Sequence, residues 1–78
     1  MRLLKYPESD AIVVDELSIE RYDHSEVLDE DRVIRYGLSG EPIAVEFLGV
    51  SEGVNLKDIP QGREIAALLA EHHIKELV

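Results

Sequence analysis

Hydrophobic positions keep a short, strand-like period up to about residue 57 and then change to a helical one. Residues 2–6 and the run AIVVD at 11–15 predict two strands, joined by Pro7-Glu-Ser-Asp10, where Pro fixes φ and Asp can bond neighbouring backbone. Residues 17–22 alternate weakly, Leu17 and Ile19 against Ser18 and Glu20, and predict a third strand. Residues 32–36 and 42–49 flank Ser39-Gly40 and predict a hairpin with a two-residue loop, which sets Ile34 opposite Val45 and Tyr36 opposite Ile43. Phe47 then shares their face, while Val33, Arg35, Ala44 and Glu46 take the other. A slip of one residue would put Arg35 opposite Ile43 among Val33, Val45 and Phe47, so the apolar pattern selects the register. Glu46, a lone carboxylate in an apolar run, is open to three readings: catalytic acid, metal ligand, or a residue facing away from the core. The register favours the last, as an outward strand ion pair with Arg35 on the diagonal.

After residue 57 the pattern reads as a helix over 58–78. Asp58-Ile-Pro-Gln61 has the form of a capping box with Pro in the first turn, and REIAALLAEHHIKELV is rich in helix formers. At about 100° per residue, Ala66, Ala67, Leu69, Ala70, Ile74, Leu77 and Val78 make a broad apolar arc opposite Glu64, Glu71, His72 and Lys75. Leu68 falls on the polar side, either as a plain exposed Leu or as part of a second surface. The expected architecture is a single α+β domain over 1–78. It comprises a small antiparallel β-meander of four to five strands over 1–57 and one C-terminal α-helix packed on one sheet face.

Charge changes the picture more than composition does. Eight Lys and Arg face 17 Asp and Glu, a formal net charge of −9, and a field of that sign repels phosphate backbones, which argues against nucleic-acid binding. Residues 1–31 hold ten of the acidic and three of the basic side chains. Within them DELSIERYDHSEVLDED reads either as solvated strands with acidic outer positions or as a surface for a basic partner, with Glu20, Asp23 and Glu26 as the contact candidates. A calcium site fits poorly, because the spacing of an EF-hand loop and its central Gly are missing.

With no Cys there is no disulfide framework, thiolate metal site or thiol nucleophile, and the start MRLLKYPESD has no apolar stretch of secretory length. Charges interrupt every hydrophobic segment, so no membrane span is expected and a cytoplasmic location is the simplest reading. Acid–base or zinc chemistry would recruit His24, His72 or His73. Adjacent His72 and His73 point about 100° apart on a helix, and HExxH, GxGxxG, P-loop and GxSxG motifs are all absent, so the expectation is a non-enzyme without metal or cofactor.

Seventy-eight residues bury a modest core, for which oligomerisation compensates. The leading reading is a protein-interaction module: a homodimer joined through Leu68, Ile74 and Leu77 of the helix, with a basic protein as a further partner. The alternative is a small-ligand or catalytic domain built on Glu46, Arg35 and a His at a subunit interface.

The segments Y6-PES-D10-A11-IVV, E26-V27, RVIRY, LSG and IAVEFLGVS, in that order over residues 6–51, resemble the prokaryotic family known as domain of unknown function 2283. The resemblance implies a small antiparallel sheet and assigns no reaction. This chain differs from the family pattern at Ala44, where the family often has Gly, at Gly37-Leu38, and in a longer segment from Glu52 onward. Small acidic proteins of this build also resemble antitoxin-like partners of basic RNA-cleaving toxins.

Overall fold

β1 (Arg2–Tyr6) and β2 (Ala11–Asp15) pair antiparallel from Arg2–Asp15 to Tyr6–Ala11 in the computed structural model, which describes residues 1–77. Asp10 closes their turn in the left-handed region at φ 50, a conformation Asp tolerates, and its N–H donates to the Pro7 carbonyl. β3 (Tyr22–Asp29), β4 (Arg32–Gly37) and β5 (Pro42–Leu48) then run up and down. β5 docks on β2, so the five-stranded antiparallel sheet has the order β1-β2-β5-β4-β3 and β5 is its central strand.

That order breaks the meander once. Between β2 and β3 the chain must cross three strand spacings, roughly 14 Å, and residues 16–21 make the crossing instead of forming the strand expected at 17–22. Their polar groups are spent on the end of the sheet. The Leu17 N–H donates to the Ile43 carbonyl, the Ser18 hydroxyl to the Pro42 carbonyl, and Glu20 accepts from both the N–H and the hydroxyl of Ser39.

The β4–β5 register sets Ile34 opposite Val45, Arg35 opposite Ala44 and Val33 opposite Glu46. Near the turn it slips, and Tyr36 opposes Pro42 rather than Ile43. There the Gly37 N–H bonds the Glu41 C=O around a loop of residues 38–41, four residues in place of the two expected at Ser39-Gly40, while the Ile43 carbonyl is taken by the crossing segment.

Ile12, Val14, Ile34, Val45 and Phe47 line one sheet face and form a single buried cluster with Val54, Ile59, Ile65 and Leu69. The last two lie four residues apart on α1 (Gly62–Glu71), on one side of the helix, and both are fully buried. The inward stripe is therefore not the arc expected from the sequence. Ala67 and Ala70 are exposed, and Leu68 is half-buried against this same cluster rather than facing outward.

Both helix ends lie inside the expected span of 58–78. At the start, Asp58 and Gln61 have positive φ (63 and 56), so no capping box forms, and the Gln61 amide donates to the Leu17 carbonyl instead. This tight turn buries Ile59. At the end, His73 N–H donates to Ala70 C=O and Ile74 N–H to Leu69 C=O, the paired bonds of a Schellman motif, with His73 at φ 56 where Gly is usual. His73→Gly should therefore raise stability by up to about 1 kcal/mol, read as a shift in the urea midpoint.

Beyond that stop, β7 (Glu76–Leu77) pairs in parallel with β6 (Val54–Asn55), so Ile74 and Leu77 are not helical. Val78, which the expected arc included, lies outside the described residues. Gly53 (φ 107) lets Leu77 approach, since a Cβ there would sit 2.7 Å from the Leu77 side chain. Among the described residues no helix is long and apolar enough to cross a membrane.

Candidate interaction surfaces

The helix side of the sheet is covered and the other side is not. Cross-strand pairing lays a row over the open face, Leu4–Val13–Glu46–Val33–Val27, spanning all five strands with Glu46 at the centre. Beside it run Tyr6–Ala11–Leu48 on one flank and, on the other, Arg2–Asp15 together with Ala44–Arg35–Ser25. Ala11, Val13 and Ala44 are buried to 4–5% exposure, yet they do not belong to the core cluster. These short side chains are sheltered by longer neighbours standing on the same bare face.

Arg35 Nη2 lies 3.9 Å from Glu46 Oε1, with about a third of each side chain exposed. This is a contact of charges rather than a well-formed hydrogen bond. Arg2 donates to Asp15 at 2.8 Å, and that hydrogen bond holds the Asp15 carboxyl below its usual range. The depressions around these pairs are open and lined by Leu4, Val13, Ala44 and Tyr22, with no His among them. His24 stacks on Tyr36 at 5.1 Å, on the helix side of the sheet, while His72 and His73 close the helix end. The geometry therefore joins Arg35 and Glu46 but brings no His to them.

The acidic candidates separate from one another. Glu20 is engaged within the chain by Ser39, an interaction that lowers its pKa. Asp23 and Glu26 lie on β3, an edge strand with seven of its eight residues exposed. Asp23 meets His24 Nδ1 at 2.7 Å, and Glu26 accepts from the Tyr36 hydroxyl at 3.1 Å. Burial and that bond push the Tyr36 phenol up. Of the apolar candidates, Leu68 and Ile74 pack on the core and Leu77 is half-exposed on β7, so the three do not form one patch.

The open-face row was readable from residues 11–15 and 32–48 once β2 was known to pair with β5, but no local signal announces that long-range pairing. A more enclosed depression beside Asp29, Arg32 and Leu77 holds about 140 Å³, small against the roughly 300–1,000 Å³ of ligand sites. No group of three or more metal-ligating side chains occurs among the described residues. No family model, curated protein or solved structure matches the chain.

Three carboxylates tie the fold: Asp15 to Arg2, Asp29 to Arg32, and Glu20 to Ser39, each with its pKa lowered chiefly by the hydrogen bond it accepts. Folded values below the unfolded ones mean stabilisation that is present above the ordinary carboxyl range, about 3.9–4.3, and lost as pH falls through the depressed values. Titration from pH 7 toward the isoelectric point of 4.6 meanwhile relieves the self-repulsion of nine negative charges. The thermal midpoint should rise on acidification to about pH 5 and fall below about pH 4. Asp29→Asn should flatten the acid limb, as followed by circular dichroism.

Proposed function

We propose that this chain is a small acidic protein-interaction module that self-associates and offers an acidic sheet edge to a basic protein, an antitoxin-like role. The observation that carries the reading is β3: a long edge strand, exposed over seven of its eight residues, drawn from the most acidic stretch of the chain. An unpaired edge presents backbone donors and acceptors to an added strand, and Asp23, Glu26 and Glu30 supply the sign of charge that a Lys/Arg-rich segment would meet. The depressions beside Arg35 and Glu46, about 310 and 320 Å³, are open to solvent rather than enclosed, which favours a contact surface over a ligand pocket. The test is isolation of the tagged chain from its own cells at low and high salt. A stoichiometric basic companion, released as salt screens the contact over about 8 Å, is the expected result. Recovery of the chain without a companion at low salt removes the basic partner from the reading.

A further inference from the structure

We infer that the open sheet face is a self-recognition surface, on which a second copy of this chain docks face to face so that Arg35 of each copy meets Glu46 of the other. The inference rests on the self-association in the reading above and names where it happens. Three observations carry it, and the size of the face sets its strength.

The face is charge-balanced in a chain of net charge −9: Arg2 and Arg35 stand against Asp15 and Glu46. A second copy meets no like-charge excess there, whereas a basic partner would gain more on β3. The face also carries residue types enriched in interfaces, Tyr6 and Tyr22 half-exposed toward opposite edges and two Arg with no Lys, around the short Ala11 and Ala44. The Arg35–Glu46 contact at 3.9 Å leaves both groups with unspent hydrogen-bonding capacity, and neither makes a side-chain hydrogen bond within the described chain. Two copies related by a twofold axis would close these groups into a four-charge ring over Val13, Val33 and Ala44.

Size sets the strength. Five strands spaced about 4.8 Å, each roughly 17–25 Å long, give a face of roughly 400–500 Å², against about 800 Å² per partner in a standard interface. The dimer should therefore be reversible, dissociating on dilution through the micromolar range. Docking here covers Tyr22, Ser25 and Val27 of β3 but leaves the outer backbone edge of that strand and the Glu30-Asp31 turn open, so self-association and capture of a basic segment by strand addition do not compete.

The test is sedimentation equilibrium on the full chain over a wide concentration range, with circular dichroism confirming that each variant folds. Wild type should pass from monomer to dimer. Arg35→Glu and Glu46→Arg should each weaken association about tenfold or more. Mixing the two single variants should restore it as a heterodimer, which loss of an internal ion pair would not predict. A wild-type chain that stays monomeric throughout overturns both the self-association reading and this face. A dimer that persists in both single variants leaves self-association standing, points to edge-to-edge pairing through β1 or β3, and overturns the face proposal.

Discussion

Phe47→Asp should leave the chain unfolded at neutral pH, while Glu46→Gln, one position away, should cost a few tenths to about 1 kcal/mol. Phe47 and Val45 are 1% and 0% exposed in the cluster that joins the sheet to the helix. Position 45 lies between Val14 and Ile34 with no cation across either strand, and the Arg32 opposite position 47 is already bonded to Asp29 and to the Asn55 and Lys57 carbonyls, so burying a carboxylate at either position costs several kcal/mol or forces it to take up a proton. A domain of this length holds roughly 4–12 kcal/mol in total at 0.05–0.15 kcal/mol per residue, so the substitution consumes most or all of it. Glu46 stands on the opposite face of the same strand, open to water, in a loose contact at 3.9 Å. Removing its charge deletes a weak interaction and leaves no buried group unsatisfied. Urea unfolding of the two variants, each compared with wild type, is the measurement. A loss of several kcal/mol in Glu46→Gln would place that carboxylate in a buried polar network and reopen its reading as a functional group.

Alternation made this contrast legible in the sequence. A strand has period two, and the apolar set Ile34, Val45 and Phe47 selects one register, so the two faces of β4 and β5 can be read from the sequence, with only the pairing of Tyr36 displaced near the turn. What failed was of another kind. The crossing at 16–21 depends on β5 choosing β2 as its neighbour, a pairing set by the whole sheet. Local alternation of Leu17 and Ile19 therefore suggested a strand where Ile19 is in fact almost fully exposed. The end of α1 was hidden because its stop residue is His73, in a conformation where Gly would have signalled the break. Helix formers continue past it, and carrying the helical projection on to residue 78 swung the apolar arc away from Ile65. The helical surface expected for dimerisation rests on the same extrapolation. It draws Ile74 and Leu77 into the broad apolar arc and Leu68 onto the polar side as a second surface, yet Leu68 and Ile74 pack on the protein's own core and Leu77 belongs to a strand. The open face, by contrast, was already written in Val33, Arg35, Ala44 and Glu46, and lacked only the knowledge that Ala11 and Val13 extend it.

Leu69→Asp should unfold the domain as completely as Phe47→Asp, whereas Ala67→Glu and Ala70→Glu should be nearly silent. The arc drawn from the sequence put all three positions on one apolar side; the structure divides them. Leu69 is fully buried, one turn from Ile65, and together they close the core over Ile12, Val14 and Phe47. Even Leu69→Ala should cost about 2–5 kcal/mol through lost contact and the cavity left behind, and a charge there adds the penalty of unpaired burial. Ala67 and Ala70 face water, where Glu is an adequate helix former and the change stays within about 0.5 kcal/mol. Ending the chain at Gln61 removes the same cover at a stroke. Five large apolar side chains of the sheet would then face solvent together, and such a fragment should be recovered insoluble. Thermal and urea unfolding of the three point variants decides the matter. A folded Leu69→Asp chain, or a loss of more than about 2 kcal/mol in Ala67→Glu, would mean that a different side of α1 meets the sheet.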